Sequence, residues 1–130
     1  MTPDHATLLG RALLCSVFLR SLYVKLTSFE AQVDYMASRG MPGGALGGLL
    51  LVGAIVMITL GSLALLTGYR ARTGAWLLIA FLVPTTLIFH HDLSQRMEWI
   101  QATKNLSLIG GLLMVVAHGP GRWRLGDGRA

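Results

Sequence analysis

The stretch GGLLLVGAIVMITLGSLALLTG, residues 47–68, decides the fold: it carries no charge, and its only polar side chains are Thr59, Ser62 and Thr67. A helix of a water-soluble bundle keeps a polar face along its whole length, and this stretch has none to offer. Its length meets the roughly 20 residues a helix needs to cross a hydrocarbon core about 30 Å thick. The rest of the chain agrees. Of its 130 residues, 53% are hydrophobic and 13% charged, with a mean hydropathy of +0.59; a soluble domain carries about 25% charged residues. Further apolar blocks flank the central one, and the pattern predicts spans over residues 8–27, 46–67, 73–90 and 103–118.

The expected fold is therefore all-α and integral to the membrane: one domain, residues 1–130, forming a four-helix antiparallel bundle. An even number of spans returns both termini to one side. Arg11, Arg70, Arg72, Arg122, Arg124 and Arg129 fall on that side, and the positive-inside bias makes it cytoplasmic. The net charge of +5 thus belongs to topology and to contact with the lipid bilayer, worth about 1 kcal/mol per basic residue near an anionic surface. Nucleic acid is not an expected partner. Residues 1–7 contain Asp4 and His5 but no Lys or Arg, and bulky Leu14 precedes Cys15, so the first block reads as a retained span rather than a cleaved leader. A single cysteine cannot form an internal disulfide or a Cys-x-x-Cys motif.

Residues 28–45 form the longest expected connection. FEAQVDYMASR, residues 29–39, suits a short amphipathic piece at the interface, ended by GMPGG at 40–44. TGYRARTG, residues 67–74, is tight, with Gly68 placed as a helix C-cap and two arginines at headgroup depth. The last connection, 91–103, carries Trp99 at the interface. Gly61, Gly68, Gly110 and Gly111, with the pairs Gly43/Gly47 and Gly44/Gly48, allow close helix approach in a bundle; a homo-oligomer is a second use for them.

Charges inside spans cost about 2.5 to 3.5 kcal/mol at the helix centre, so each needs a reason. Arg20 lies nine residues, about 13.5 Å of rise, beyond Arg11. At 100° per residue, Ser16, Tyr23 and Thr27 share its face within about 60°, a polar stripe expected to turn into the bundle. Lys25 lies about 140° away, near the outer end, where snorkelling is an equal explanation. The topology gathers Arg20, Tyr23, Lys25, His90, Lys104 and Asn105 in the outward third. These form the candidate ligand-binding set, an outward pocket for an anion or a quinone-like head. The structural alternative is a polar network that locks the helices in register.

FHHD, residues 89–92, raises metal and haem ligation. Neighbouring helical histidines point about 100° apart and cannot both face one ion, while His5 and His118 lie on the opposite side, about 30 Å away. No metal site and no firm cofactor is expected; a quinone is the one cofactor that the pocket suggests. No nucleophile and base accompany His90, so catalysis by this chain alone is not expected.

LLGRALL at 8–14, Phe18-x-x-Ser21-x-x-x-Lys25-Leu26, LGSLALLTGYRARTGAWLL at 60–78, FH at 89–90 and KNLSLIGGLLMVVAHGPGRW at 104–123 together resemble the DoxX family of small bacterial membrane proteins. The resemblance implies a four-helix protein of the bacterial inner membrane, with some relatives serving as subunits linked to thiosulfate:quinone oxidoreduction and others implicated in thiol-stress complexes. The chain departs from that pattern at Ser21, where glycine is common. It also has Ile58 where many members carry a glutamate, and Gly61-Ser62 in place of a Gly-Gly pair. The expected function is an accessory or scaffold protein associated with a membrane-bound redox enzyme. A quinone-interacting subunit is the alternative, and a small-molecule or anion carrier the weaker one, since no inverted repeat or broken helix is evident.

Overall fold

In the computed structural model, residues 2–89 and 96–125 are described. Among them are five helices and no strand: α1 (Pro3–Thr27), α2 (Phe29–Ser38), α3 (Gly44–Thr67), α4 (Ala71–Phe89) and α5 (Arg96–His118). Helices α1, α3, α4 and α5 are each long and apolar enough to cross a membrane. They pack in the order α1, α3, α4, α5, with α1 and α5 meeting only sparsely, and the short α2 lies against α1 and α3. The short amphipathic piece expected over residues 29–39 forms the helix α2, Phe29–Ser38.

The spans begin earlier than the apolar pattern placed them, and the reasons are local. Thr2 caps α1 by accepting from the His5 amide, Pro3 opens the helix, and Asp4 sits in its positive first turn. Helix α5 is already formed at Arg96, ahead of the expected residue 103, with Glu98 in its first turn and paired with Arg39 at 3.0 Å. That ion pair also ties the end of the α2 segment to the start of α5.

Cys15 and Phe18 of α1 meet Ile58 and Leu65 of α3, Leu78 of α4 and Leu112 of α5 in one core. Ile58, where the family resemblance expects an acid, is fully buried in it. Helices α3 and α4 come closest at Gly61 and Gly74. A Cβ on Gly61 would stand 2.6 Å from Leu78 Cγ, and one on Gly74 only 2.5 Å from Ala64 Cβ. Backbones in lipid associate through such close approach. Gly68 ends α3 in the left-handed region at φ 76° and gives its N–H to the Ala64 carbonyl, as a C-cap glycine should. Among the described residues, one polar bond across the bundle runs from buried Asn105 Nδ2 to Thr86 Oγ1, at 2.9 Å.

This packing makes two glycines of similar appearance behave differently. Gly74→Leu forces α3 and α4 apart and is expected to lower stability by about 1 to 3 kcal/mol. Gly110→Ala, where an added Cβ meets nothing within 4 Å, is expected to be neutral or to stabilise by about 0.5 to 1 kcal/mol. Unfolding in mixed micelles followed by circular dichroism separates the two; equal effects would contradict the close approach.

Candidate functional site

The inward stripe of α1 is Arg11, Cys15 and Phe18, continued by the half-buried Leu22 and Lys25. This spacing of three or four residues keeps one helix face against the bundle. Ser16, Arg20, Tyr23 and Thr27 are all exposed, so the stripe expected to turn inward faces away from the core. Its hydroxyls have no need of the interior: Ser16 donates to the Leu13 carbonyl and Thr27 to the Tyr23 carbonyl of the same helix. Arg20 makes no hydrogen bond or ion pair among the described residues.

Lys25 takes the opposite face, as its angular offset from Arg20 requires. It enters a cleft of about 630 Å³ formed by α1, α2, α3 and α4 at the end of the bundle away from the termini. Lys25 Nζ donates to Ser21 Oγ at 2.9 Å and stands 5.6 Å from the centre of the Phe81 ring. The hydroxyl at Ser21, where the resemblance expects glycine, therefore holds the ammonium. Met36, Leu51, Met57 and Ile88 provide apolar lining, with Gln32, Tyr35 and Thr85 as the polar groups. Pro84 also lines the cleft. Having no N–H, it cannot serve the carbonyl of Ala80 four residues earlier, another lining residue, and so leaves an acceptor near the cleft. The chemistry on offer is one cationic donor in the wall of a largely apolar cleft.

The candidate set is thus dispersed rather than collected in one pocket. Lys25 lines the cleft, Asn105 is buried between α4 and α5, and Arg20, Tyr23 and Lys104 are exposed. His90, with His91 and Asp92, lies outside the described residues. No group of three or more His, Cys, Asp or Glu side chains that could hold a metal occurs among the described residues.

Sequence reasoning missed the second polar centre, at the end that carries the termini, because it read Arg11 only as a marker of orientation. Arg11 is 1% exposed. Its Nη1 donates to the Leu65 carbonyl at 2.9 Å and its Nη2 to the Trp123 carbonyl. Leu65 lies in the last turn of α3, where backbone carbonyls lack helical donors. The nearby Thr67 carbonyl receives the Leu125 amide at 2.9 Å. Arg72 performs the same service for α5, its Nε donating to the Val116 carbonyl at 3.1 Å. The signal that could have found Arg11 is its spacing: it stands four residues before Cys15 and seven before Phe18, on the buried face.

Four spans, a short helix after the first, and a tail folded back over the ends of α1 and α3 define a small four-span membrane protein. The DoxX family profile matches residues 6–91, most of the chain, and the chain belongs to the DoxX family. It is 29% identical over 122 residues to Inner membrane protein YqjF of Escherichia coli, covering 94% of this chain and 90% of that protein. It is likewise 29% identical over 119 residues to Inner membrane protein YphA of the same organism, covering 88% of this chain and 83% of that one. No solved structure matches.

Removing Arg11 leaves the Leu65 carbonyl without its buried donor and the Trp123 carbonyl without its part-buried one. Arg11→Leu is expected to cost about 1 to 3 kcal/mol per acceptor left unpaired, with Arg11→Lys recovering part because one ammonium cannot span both. The unfolding midpoint in a dodecyl sulfate titration measures this. A midpoint unchanged in both variants would mean that the guanidinium does not hold the tail.

Proposed function

We propose that the chain is a non-catalytic accessory subunit of a membrane-bound redox enzyme in the bacterial inner membrane, with both termini cytoplasmic, and that it holds a quinone-like molecule in the Lys25 cleft. The observation that carries this reading is the cleft itself: a volume of about 630 Å³ within the roughly 300 to 1,000 Å³ usual for small-molecule sites, apolar save for one ammonium and a few hydrogen-bonding groups. Such a lining suits an amphipathic molecule with a carbonyl head and an isoprenoid chain. The Lys25 ammonium donates to the head, and Met57 with its neighbours accepts the chain. The inner-membrane placement follows the two Escherichia coli relatives, the orientation follows the arginines at the terminal end, and the redox setting rests on the family resemblance.

A second reading, a scaffold with no ligand, is favoured by Arg20 and Tyr23. An arginine on the outer face of a span is costly in lipid and gains most from an acidic partner helix, so the exposed flank of α1 suits a protein contact.

Purification of the full chain in mild detergent, followed by solvent extraction, tests the first reading. A quinone is expected to co-purify with the wild type and to fall by about tenfold in Lys25→Met. An abundant partner without quinone, lost in Arg20→Leu, would leave only the scaffold. Absence of both quinone and partner would overturn the whole proposal.

A further inference from the structure

At the terminal end, away from the Lys25 cleft, a cavity of about 450 Å³ opens in the seam between α1 and α5. The seam exists because these two helices meet sparsely while every other neighbouring pair of spans is closely packed. Gly10 on α1 and Gly111 on α5 line it; a Cβ at Gly10 would meet nothing within 4 Å, whereas one at Gly111 would stand 3.0 Å from Leu14 Cδ2 of α1. The lining is graded. Thr7, His118 and Gly121 stand toward the helix ends, whereas Leu14 and Met114 stand deeper in the span. Arg11 lies between the two regions.

Arg11 has five N–H donors and a permanent charge. Its two described bonds go to the neutral carbonyls of Leu65 and Trp123, and its Nε, buried, has no partner among the described residues. It makes no ion pair among them either. A buried cation served by dipoles alone, with one donor unused beside a cavity, is a site that a negative charge would complete.

We propose that this cavity binds the phosphate headgroup of an anionic phospholipid, its net negative charge set beside the Arg11 guanidinium that lines the cavity and its acyl chain lying along Leu14 and Met114 in the α1–α5 seam. Arg11 then joins three things at once: the end of α3, the tail at Trp123, and the lipid. The graded lining selects an amphiphile over a free ion, since a hydrated phosphate gains nothing from Leu14 and Met114. An acidic lipid would be a built-in component of the folded terminal end rather than part of a diffuse annulus.

Native mass spectrometry of the full chain, delipidated and then offered phosphatidylglycerol, phosphatidylcholine or inorganic phosphate, tests this. The expected result is one retained phosphatidylglycerol and no retained phosphatidylcholine. Gly10→Leu should abolish the adduct while helicity is kept, because a Cβ at Gly10 meets nothing within 4 Å and the leucine enters open space. Should that variant fail to fold, Met114→Trp fills the seam from a side chain that is already exposed and must weaken the adduct likewise. A thermal upshift with inorganic phosphate alone, lost in the same variants, would keep the oxyanion site but reassign its source to a free anion. Equal retention of the two lipids, retention undiminished in the cavity-filling variants, or no binding of any probe would overturn the proposal.

Discussion

A helix that ends at a membrane leaves its last carbonyls without donors, in surroundings too dry for water to supply them cheaply. The terminal end of this bundle meets that constraint with side chains from other helices. Arg11 of α1 serves the last turn of α3, and Arg72 of α4 serves the end of α5. The positive charges also face the negative ends of the helix dipoles, which favours them further. Because Arg11 reaches the Trp123 carbonyl as well, the C-terminal tail is drawn over the bundle, where the Leu125 amide meets the Thr67 carbonyl and Trp123 stacks on His5. Two of the arginines that set the expected orientation, Arg11 and Arg72, are thus groups that close helix ends.

That closure gives the molecule two unlike ends. Between them the middle is held by apolar packing and by the near contact of α3 and α4 at Gly61 and Gly74, which needs no polar bond. At the far end α2 lies against α1 and α3, its C-cap Arg39 is paired with Glu98 of α5, and its Gln32, Tyr35 and Met36 line the Lys25 cleft. Each end offers one partly or fully buried cation to a cavity of mixed, largely apolar lining, and neither cation has an acid of the described residues beside it. With Ile58 buried where the family resemblance expects a glutamate, the middle of the bundle carries no carboxylate to draw either one inward.

Much of this was legible in the sequence. The charge-free stretch 47–68 and its apolar companions gave the four spans; Gly68 announced the turn between α3 and α4; FEAQVDYMASR announced α2. The site was harder to read, for a physical reason. Periodicity separated Arg20 from Lys25 correctly but could not say which face turns inward. The assumption that polar side chains seek the interior failed, since Ser16 and Thr27 satisfy themselves on their own helix. The better guide was the stripe Arg11, Cys15, Phe18, which mixes a charge with apolar residues and so does not look like a core. Pro84 carried its own signal, a proline inside a span, whose consequence depends on which cavity it borders.

The role of Arg11 is tested most directly by hydrogen–deuterium exchange on the full chain in micelles, comparing wild type with Arg11→Gln. The account predicts that amides of residues 119–125, Leu125 above all, and those of the Gly68 turn lose protection in the variant while α2 exchanges as before. Unchanged protection of the tail would contradict it, and would mean that the end of α3 and the tail hold together without the guanidinium between them.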